Sequence, residues 1–203
     1  MTETSQTPKS LKAQITRTSL VLAAAALLRE QGPKAVTYRK VAQWAGAASS
    51  SVGYYFDSVT QLLHEAGRYN IQLWAERAEK VAATAEALPP EACRERVVEL
   101  LIKACLPDAT VTPSAHYAQL IAAAESSVVT EAYQKGRVSL DAAIDRILHC
   151  AGITNMPPRM VGTIVDGAAV AAISEGYDVI EFATQLLQEA LCVYQQAAEA
   201  EDA

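Results

Sequence analysis

The sequence predicts an all-α protein, and three observations lead there. Apolar residues recur at three- and four-residue spacing along most of the chain, the composition leans on Ala, Leu, Val, Glu and Gln, and alternating apolar-polar runs are nearly absent. The nine Gly and eight Pro stand mostly between the periodic stretches, where they end helices rather than interrupt them. At 203 residues, 51% hydrophobic and 20% charged, the chain can bury a core and lacks the composition of a disordered one.

Residues 1–10 are polar, contain Pro8 and read as an arm. A first helix is expected over residues 11–31, with Leu20, Val21, Ala24, Leu27 and Leu28 on one stripe and Gly32-Pro33 as its stop. Two short helices fall within residues 37–56. A longer one opens at Ser58, where Ser58 and Gln61 form a capping box whose side chains satisfy exposed amides reciprocally, and it runs to about Ala87 before Leu88-Pro89-Pro90. Residues 91–106 restart as an amphipathic helix, 107–113 form a loop, and 114–124 and 128–150 are helical with a weak point at Ser126-Ser127.

Pro157-Pro158 begins the next helix, because proline suits a first turn whose amides have no intrahelical partner. This helix is small and apolar nearly all round, so both its sides must be covered. Asp178 and Glu181 cap the last one, whose Val179, Phe182, Leu186, Leu187, Ala190, Leu191 and Tyr194 form a stripe. Two such helices side by side point to a homodimer through the last two helices. The core of a monomeric bundle is the alternative.

The most apolar run, 161–174, is interrupted by Asp166, so no stretch is expected to reach the ~18 residues of a membrane span, and no membrane is expected as a partner. The first residues lack the apolar core of an export signal, which points to the cytoplasm. Cys93, Cys105, Cys150 and Cys192 stand singly, with no metal-ligand spacing, and each reads as a small core residue in a reducing compartment. Net charge is -6, yet residues 1–60 carry seven basic and three acidic side chains, a net of +4, which leaves -10 for the remainder. A basic head on an acidic body fits a polyanion-binding module joined to a domain with another task.

Within residues 37–56, Thr37 can cap a helix starting at Tyr38, and Gly46 sits where that helix must turn with positive φ. Ala42 four residues before Gly46 and Val52 six after it match two short helices crossing near a right angle: a small residue at the contact, glycine in the turn, an apolar residue on the second helix's inner face. Val41, Ala45, Val52 and Phe56 then face inward. Tyr38, Arg39, Ser49, Ser50, Ser51, Tyr54 and Tyr55 are left for an outward surface of hydroxyls, phenols and one guanidinium, suited to phosphate oxygens and base edges. The chain is therefore read as an N-terminal three-helix helix-turn-helix domain, residues 1–57, followed by a helical domain, residues 58–203, that carries the dimerisation helices and, as the resemblance below implies, is the ligand-binding body.

The pattern Arg17-x-x-Leu20-Val21-x-Ala23-Ala24-x-x-Leu27-Leu28-x-Glu30-x-Gly32, then Val36-Thr37-x-x-x-Val41-Ala42-x-x-Ala45-Gly46, then Val52-Gly53-Tyr54-Tyr55-Phe56-x-Ser58-x-x-x-Leu62-Leu63, resembles the signature of the TetR family of repressors. The resemblance implies a homodimer that reads a palindromic double-stranded DNA operator on successive major grooves and releases it when a small-molecule effector binds the C-terminal body. It assigns Thr37, Tyr38 and Arg39 to the DNA backbone and a flanking base, and Ser49, Ser50, Ser51, Tyr54 and Tyr55 to the recognition helix. Three positions depart from it: Gly53 stands where a Tyr is frequent, Val59 where a Lys is frequent, and Ala48 where Ser or Thr often caps, which leaves Ser49 as a substitute cap.

For the effector, the residues to expect are Trp74, Cys105, His116, Tyr117, Tyr133 and His149, polar or aromatic groups within apolar-periodic runs. Control by a partner protein is the other reading of the body; a solidly packed interior would favour it and a cavity a small molecule. Catalysis is not expected: the three histidines are far apart, and no zinc helix, phosphate loop or nucleophile elbow is present. No cofactor is called for.

Overall fold

A computed structural model describes residues 10–107 and 111–201, with side chains to residue 196. The arm expected over residues 1–10 lies outside the described residues except for Ser10, as does the middle of the 107–113 loop. The described residues form nine α-helices and two 3-10 turns, with no strand: α1 Leu11–Gln31, α2 Tyr38–Ala45, α3 Ser49–Tyr55, α4 Val59–Glu86, α5 Pro90–Cys105, α6 Pro113–Ala122, α7 Ser127–Cys150, α8 Pro158–Glu175 and α9 Val179–Glu201. They fall into two compact units, the described part of Met1–Ile71 with Ala118–Lys135, and Gln72–Tyr117 with the described part of Gly136–Ala203.

In the first unit, Ser10 caps α1 by accepting from the Ala13 amide at 3.3 Å, and Gly32 at φ 77° ends it. Leu20, Ala24, Leu27 and Leu28 meet Val41 and Ala42 of α2, Val52 of α3, Phe56, and Leu62 and Ala66 of α4 in one core. Contrary to the expectation from sequence, α1 has an 18-residue window of mean hydropathy 1.3, long and apolar enough by composition to cross a membrane. The cause is the Leu- and Ala-rich stretch from Leu20 to Leu28, of which all but Leu22 and Ala26 are buried in this core.

A polar joint crosses the same core. Asn70 of α4 is fully buried, donates to the Ala25 carbonyl of α1 at 3.2 Å and accepts from Arg29 Nη1 at 2.5 Å. The Tyr133 hydroxyl of α7 is also in hydrogen-bond contact with Asn70, and burial raises its pKa. Three helices of this unit thus share one satisfied buried amide.

The second unit packs α5, α8 and α9 together. Leu100 and Leu101 of α5, Ile144, Ile147 and Leu148 of α7, Val161, Val165 and Ala169 of α8, and Ala183 and Leu187 of α9 are its buried residues. Pro158 opens α8 as expected, Gly176 at φ 79° ends it, and the Asp178 carboxylate accepts from the Glu181 amide at 2.8 Å to open α9. On α4, Ser58 Oγ accepts from the Gln61 amide at 3.1 Å, but the Gln61 side chain accepts from the Asp57 amide at 2.8 Å, one residue earlier than a standard capping box.

Candidate DNA-reading surface and effector cleft

The head is built from its turn outward. Thr37 Oγ1 accepts from the Lys40 amide at 3.3 Å, and Gly46 takes the left-handed conformation, φ 64° and ψ 30°, that closes α2. A residue with a β-carbon would be strained there. Val41, Val52 and Phe56 are buried and Ala45 packs beside them, as the spacing requires. The sequence expectation that Ser49 substitutes as a cap is not met: Ala48 is the N-cap of α3, and no side chain caps it.

The outward residues then divide. Thr37, Arg39, Ser49, Ser50 and Tyr54 are exposed, Tyr54 at 74%, while Ser51 and Tyr55 are half-buried. Tyr54 and Tyr55 meet edge to face at 5.0 Å. Tyr38 is less free than its position suggests: half-buried against the core, its hydroxyl donates to the Phe56 carbonyl at 2.6 Å. Burial, then the nearby Asp57 carboxylate, raises its pKa. Tyr38 thereby links the start of α2 to the end of α3.

Much of the head's basic charge is engaged internally. Arg17 lies 5.0 Å over the Phe56 ring and pairs with Glu65 at 3.1 Å, Lys34 pairs with Glu125 at 3.2 Å, Lys40 donates to Gln31 at 3.1 Å, and Arg29 serves Asn70. Arg39 remains exposed at the start of α2, close in sequence to the cap and free to reach a phosphate or a base edge.

In the second unit, four of the residues expected around an effector come together. Trp74 and His116 meet edge to face at 5.0 Å, as do His116 and Tyr117. The Tyr117 hydroxyl donates to Asp166 at 3.0 Å, and Arg137 links Asp166, at 3.8 Å, with Asp141, at 2.9 Å. Cys105 is held among these charges, its thiol pushed up to about 12, chiefly by burial and then by Asp166. Arg77 donates to the Cys105 carbonyl at 3.3 Å. Gly162 makes room for this network, because a β-carbon there would lie 2.1 Å from Arg137 Nη2. The other two residues lie apart. Tyr133 belongs to the Asn70 joint of the first unit, and His149 is exposed near the end of α7, its ring bonded to its own helix at Asp145.

A cleft of about 820 Å³ opens in the same unit between α5 and α9, walled by Val98 and Ile102 of α5, Leu106 just after it, Ile180 and Thr184 of α9, and Arg77. None of the six expected residues lines it; Arg77 joins it to the aromatic cluster through Cys105. Val98, Ile102 and Leu106 repeat at helical spacing, so on sequence alone they read as core.

Burial, then the Arg77 guanidinium, lowers the His116 pKa from 6.5 to about 4. Between those values the unfolded chain binds the proton and the folded one does not, so stability is present above pH 6.5 and falls as the pH drops toward 4. Asp166 acts oppositely: burial raises its pKa above 3.8, and its contribution falls as pH rises just above that value. With the imidazole still partly solvated, the His116 effect is expected to be about 2 kcal/mol. Urea unfolding at pH 7 and pH 4.5 checks this: His116→Phe should lose less stability on acidification than the natural chain. An equal loss would remove His116 as the cause.

A short helix bearing Ser and Tyr side chains outward, turned off a second helix through a left-handed glycine and seated on a third, has the geometry of a helix-turn-helix. Residues 20–66 match the family model of the bacterial regulatory proteins, tetR family. No curated protein matches the sequence.

Solved structures share the fold along nearly the whole chain. A transcriptional regulator from Saccharomonospora viridis in complex with choline is 17% identical, with TM-score 0.64 over 87% of this chain and 95% of that one. A regulator from Rhodococcus sp. Rha1 is 18% identical, with TM-score 0.64 over 89% and 96%. SmeT, the repressor of the Stenotrophomonas maltophilia multidrug efflux pump SmeDEF, is 19% identical, with TM-score 0.58 over 89% and 91%.

Proposed function

We propose that this chain is a homodimeric repressor that holds a palindromic operator and leaves it when a small molecule enters the cleft between α5 and α9. The cleft carries this reading. Its volume falls in the range of small-molecule sites, Val98, Ile102, Leu106 and Ile180 give it an apolar wall, and Arg77, Glu95, Glu99, Lys103, Thr184 and Gln188 supply charged and polar groups around it. A body controlled by a partner protein needs no such space. Choline in the Saccharomonospora regulator and the efflux-pump role of SmeT support a small apolar or cationic effector as a first search class.

On this reading residues 1–57 are the DNA-binding domain and 58–203 the regulatory and dimerisation domain. Arg39, Thr37 and Tyr38 contact phosphates and a flanking base. Ser49, Ser50, Ser51, Tyr54 and Tyr55 enter the major groove. Dimerisation through α8 and α9 is supported by the apolar groups they leave exposed, Val170 at 42%, Ile173 at 36%, Ile180 at 61% and Val193 at 63%, which a second copy would cover.

Footprinting on DNA upstream of the protein's own gene tests the proposal. The expected result is a protected inverted repeat, bound by a dimer in sedimentation, and released when a compound that raises the melting temperature is added. With so many head cations engaged internally and with Gly53 and Val59 in place of Tyr and Lys, the slope of log K against log salt should be shallower than about -6 for the dimer. Protection that no stabilising compound relieves would count against effector control.

A further inference from the structure

The charged groups around the cleft between α5 and α9 are not equivalent. Glu99 is taken up at the surface: Arg96 reaches it at 3.0 Å, Lys103 bonds it as well, and the two bring its carboxyl down to about 2. Glu95 is exposed on the same helix, where water and salt screen it. Arg77 is placed differently. It is half-buried, its Nη2 donates to the Cys105 carbonyl at 3.3 Å at the end of α5, and it lines the cleft together with Ile102 and Leu106, both buried. Its field reaches His116, whose pKa burial and then Arg77 hold at about 4, while Asp166 of the same cluster is engaged by Tyr117 at 3.0 Å and Arg137 at 3.8 Å. A hydroxyl stands ready as well. Thr16, Thr84, Thr130 and Thr163 each bond back to a carbonyl of their own helix, but Thr184 of α9, half-buried in the cleft wall, has no hydrogen-bond partner for its side chain among the described residues.

We propose that the cleft takes an amphipathic monocarboxylic acid, its carboxylate on the Arg77 guanidinium and the Thr184 hydroxyl and its apolar body along Val98, Ile102 and Leu106. The inference rests on the reading of this cleft as the effector site and narrows it. Choline in the Saccharomonospora regulator suggests a cation, whereas the charge that this chain buries in its own cleft wall is positive. Position decides between the two. An opposite charge beside Arg77 is attracted about four-fold more strongly than one beside the exposed Glu95, taking an effective dielectric of about 20 for the wall and about 80 for water. One guanidinium matches one negative charge, and its planar fork fits a carboxylate through two parallel bonds. Thr184 adds a neutral donor without adding charge. The chain rises about 12 Å from Val98 to Leu106, the length of an extended chain of about ten carbons, and all three residues offer it apolar surface.

Calorimetric titration of the full chain with decanoate, decan-1-ol and decyltrimethylammonium tests the class, because the three share one apolar chain and differ at the head. Decanoate should bind tighter than either by roughly ten-fold or more. Arg77→Gln should remove that preference and bring decanoate to the level of decan-1-ol. Thr184→Val, which keeps the volume of the wall, should reduce it several-fold, and Lys103→Gln at the exposed rim should leave it in place. Arg77→Gln also loses the bond to the Cys105 carbonyl, so if it folds poorly the Thr184→Val and Lys103→Gln chains decide. Tighter binding of decyltrimethylammonium overturns the inference while leaving a small-molecule site. So does a preference for decanoate that survives Arg77→Gln and Thr184→Val, or one that Lys103→Gln removes. No binding of any of the three overturns the acid and takes away the cleft's support for effector control as well. Decanoate that binds with the expected preference yet releases no operator DNA upholds the acid and counts against effector control alone.

Discussion

Alanine at both Arg39 and Tyr54 is expected to abolish specific operator binding while leaving the fold intact. Both side chains are exposed, Tyr54 at 74%, and among the described residues Arg39 has no ion-pair or side-chain hydrogen-bond partner. Surface substitutions of that kind shift stability by about half a kcal/mol or less. A well-placed contact to a base edge is worth about 1–3 kcal/mol of discrimination, so losing one contact from each residue should weaken specific binding by roughly 100-fold or more in each half-site. Fluorescence anisotropy on operator and on scrambled DNA separates the two: specific affinity should collapse toward the non-specific value, and the circular dichroism melt should not move. Tyr38→Phe is a poorer probe of reading, since it deletes the hydroxyl bond to the Phe56 carbonyl and so disturbs the packing of α2 on α3 as well. Operator affinity retained in the Arg39/Tyr54 variant would show that the reading surface lies elsewhere.

What could be read from sequence here followed from local chemistry. Gly32 ends α1 at the residue the pattern indicates, and Thr37 and Gly46 bound α2, because caps and positive-φ glycines act within one turn of the chain. The inner residues Val41, Val52 and Phe56 were legible for a similar reason: one small helix pair admits few ways to hide three apolar groups. Other features depend on distant partners. Arg17 and Lys34 count as surface charge in a sequence, but Glu65 and Glu125, brought near by folding, engage them. Trp74 and His116 lie far apart in the chain, and only packing sets them edge to face. The cleft was illegible because an apolar stripe on α5 looks the same whether it meets a helix or a cavity.

Asn70→Leu should destabilise the head by about 2–4 kcal/mol, although leucine fills nearly the same volume. Asparagine is there for its polar atoms. It accepts from Arg29 Nη1, donates to the Ala25 carbonyl and meets the Tyr133 hydroxyl, so leucine leaves a half-buried guanidinium without that acceptor in an apolar core. If the cost comes from that charge, removing the charge must restore part of it. Arg29→Met alone and Asn70→Leu alone should each destabilise, but the double variant should be more stable than their sum by about 1 kcal/mol or more, read from urea unfolding of all four chains. Strict additivity would mean that the joint contributes only shape. The same cycle bears on DNA binding, because α1, α4 and α7 of the first unit meet at this amide, and the head that seats α3 rests on α1 and α2. Operator affinity across the four variants should therefore follow their stability, with the double variant recovering both together.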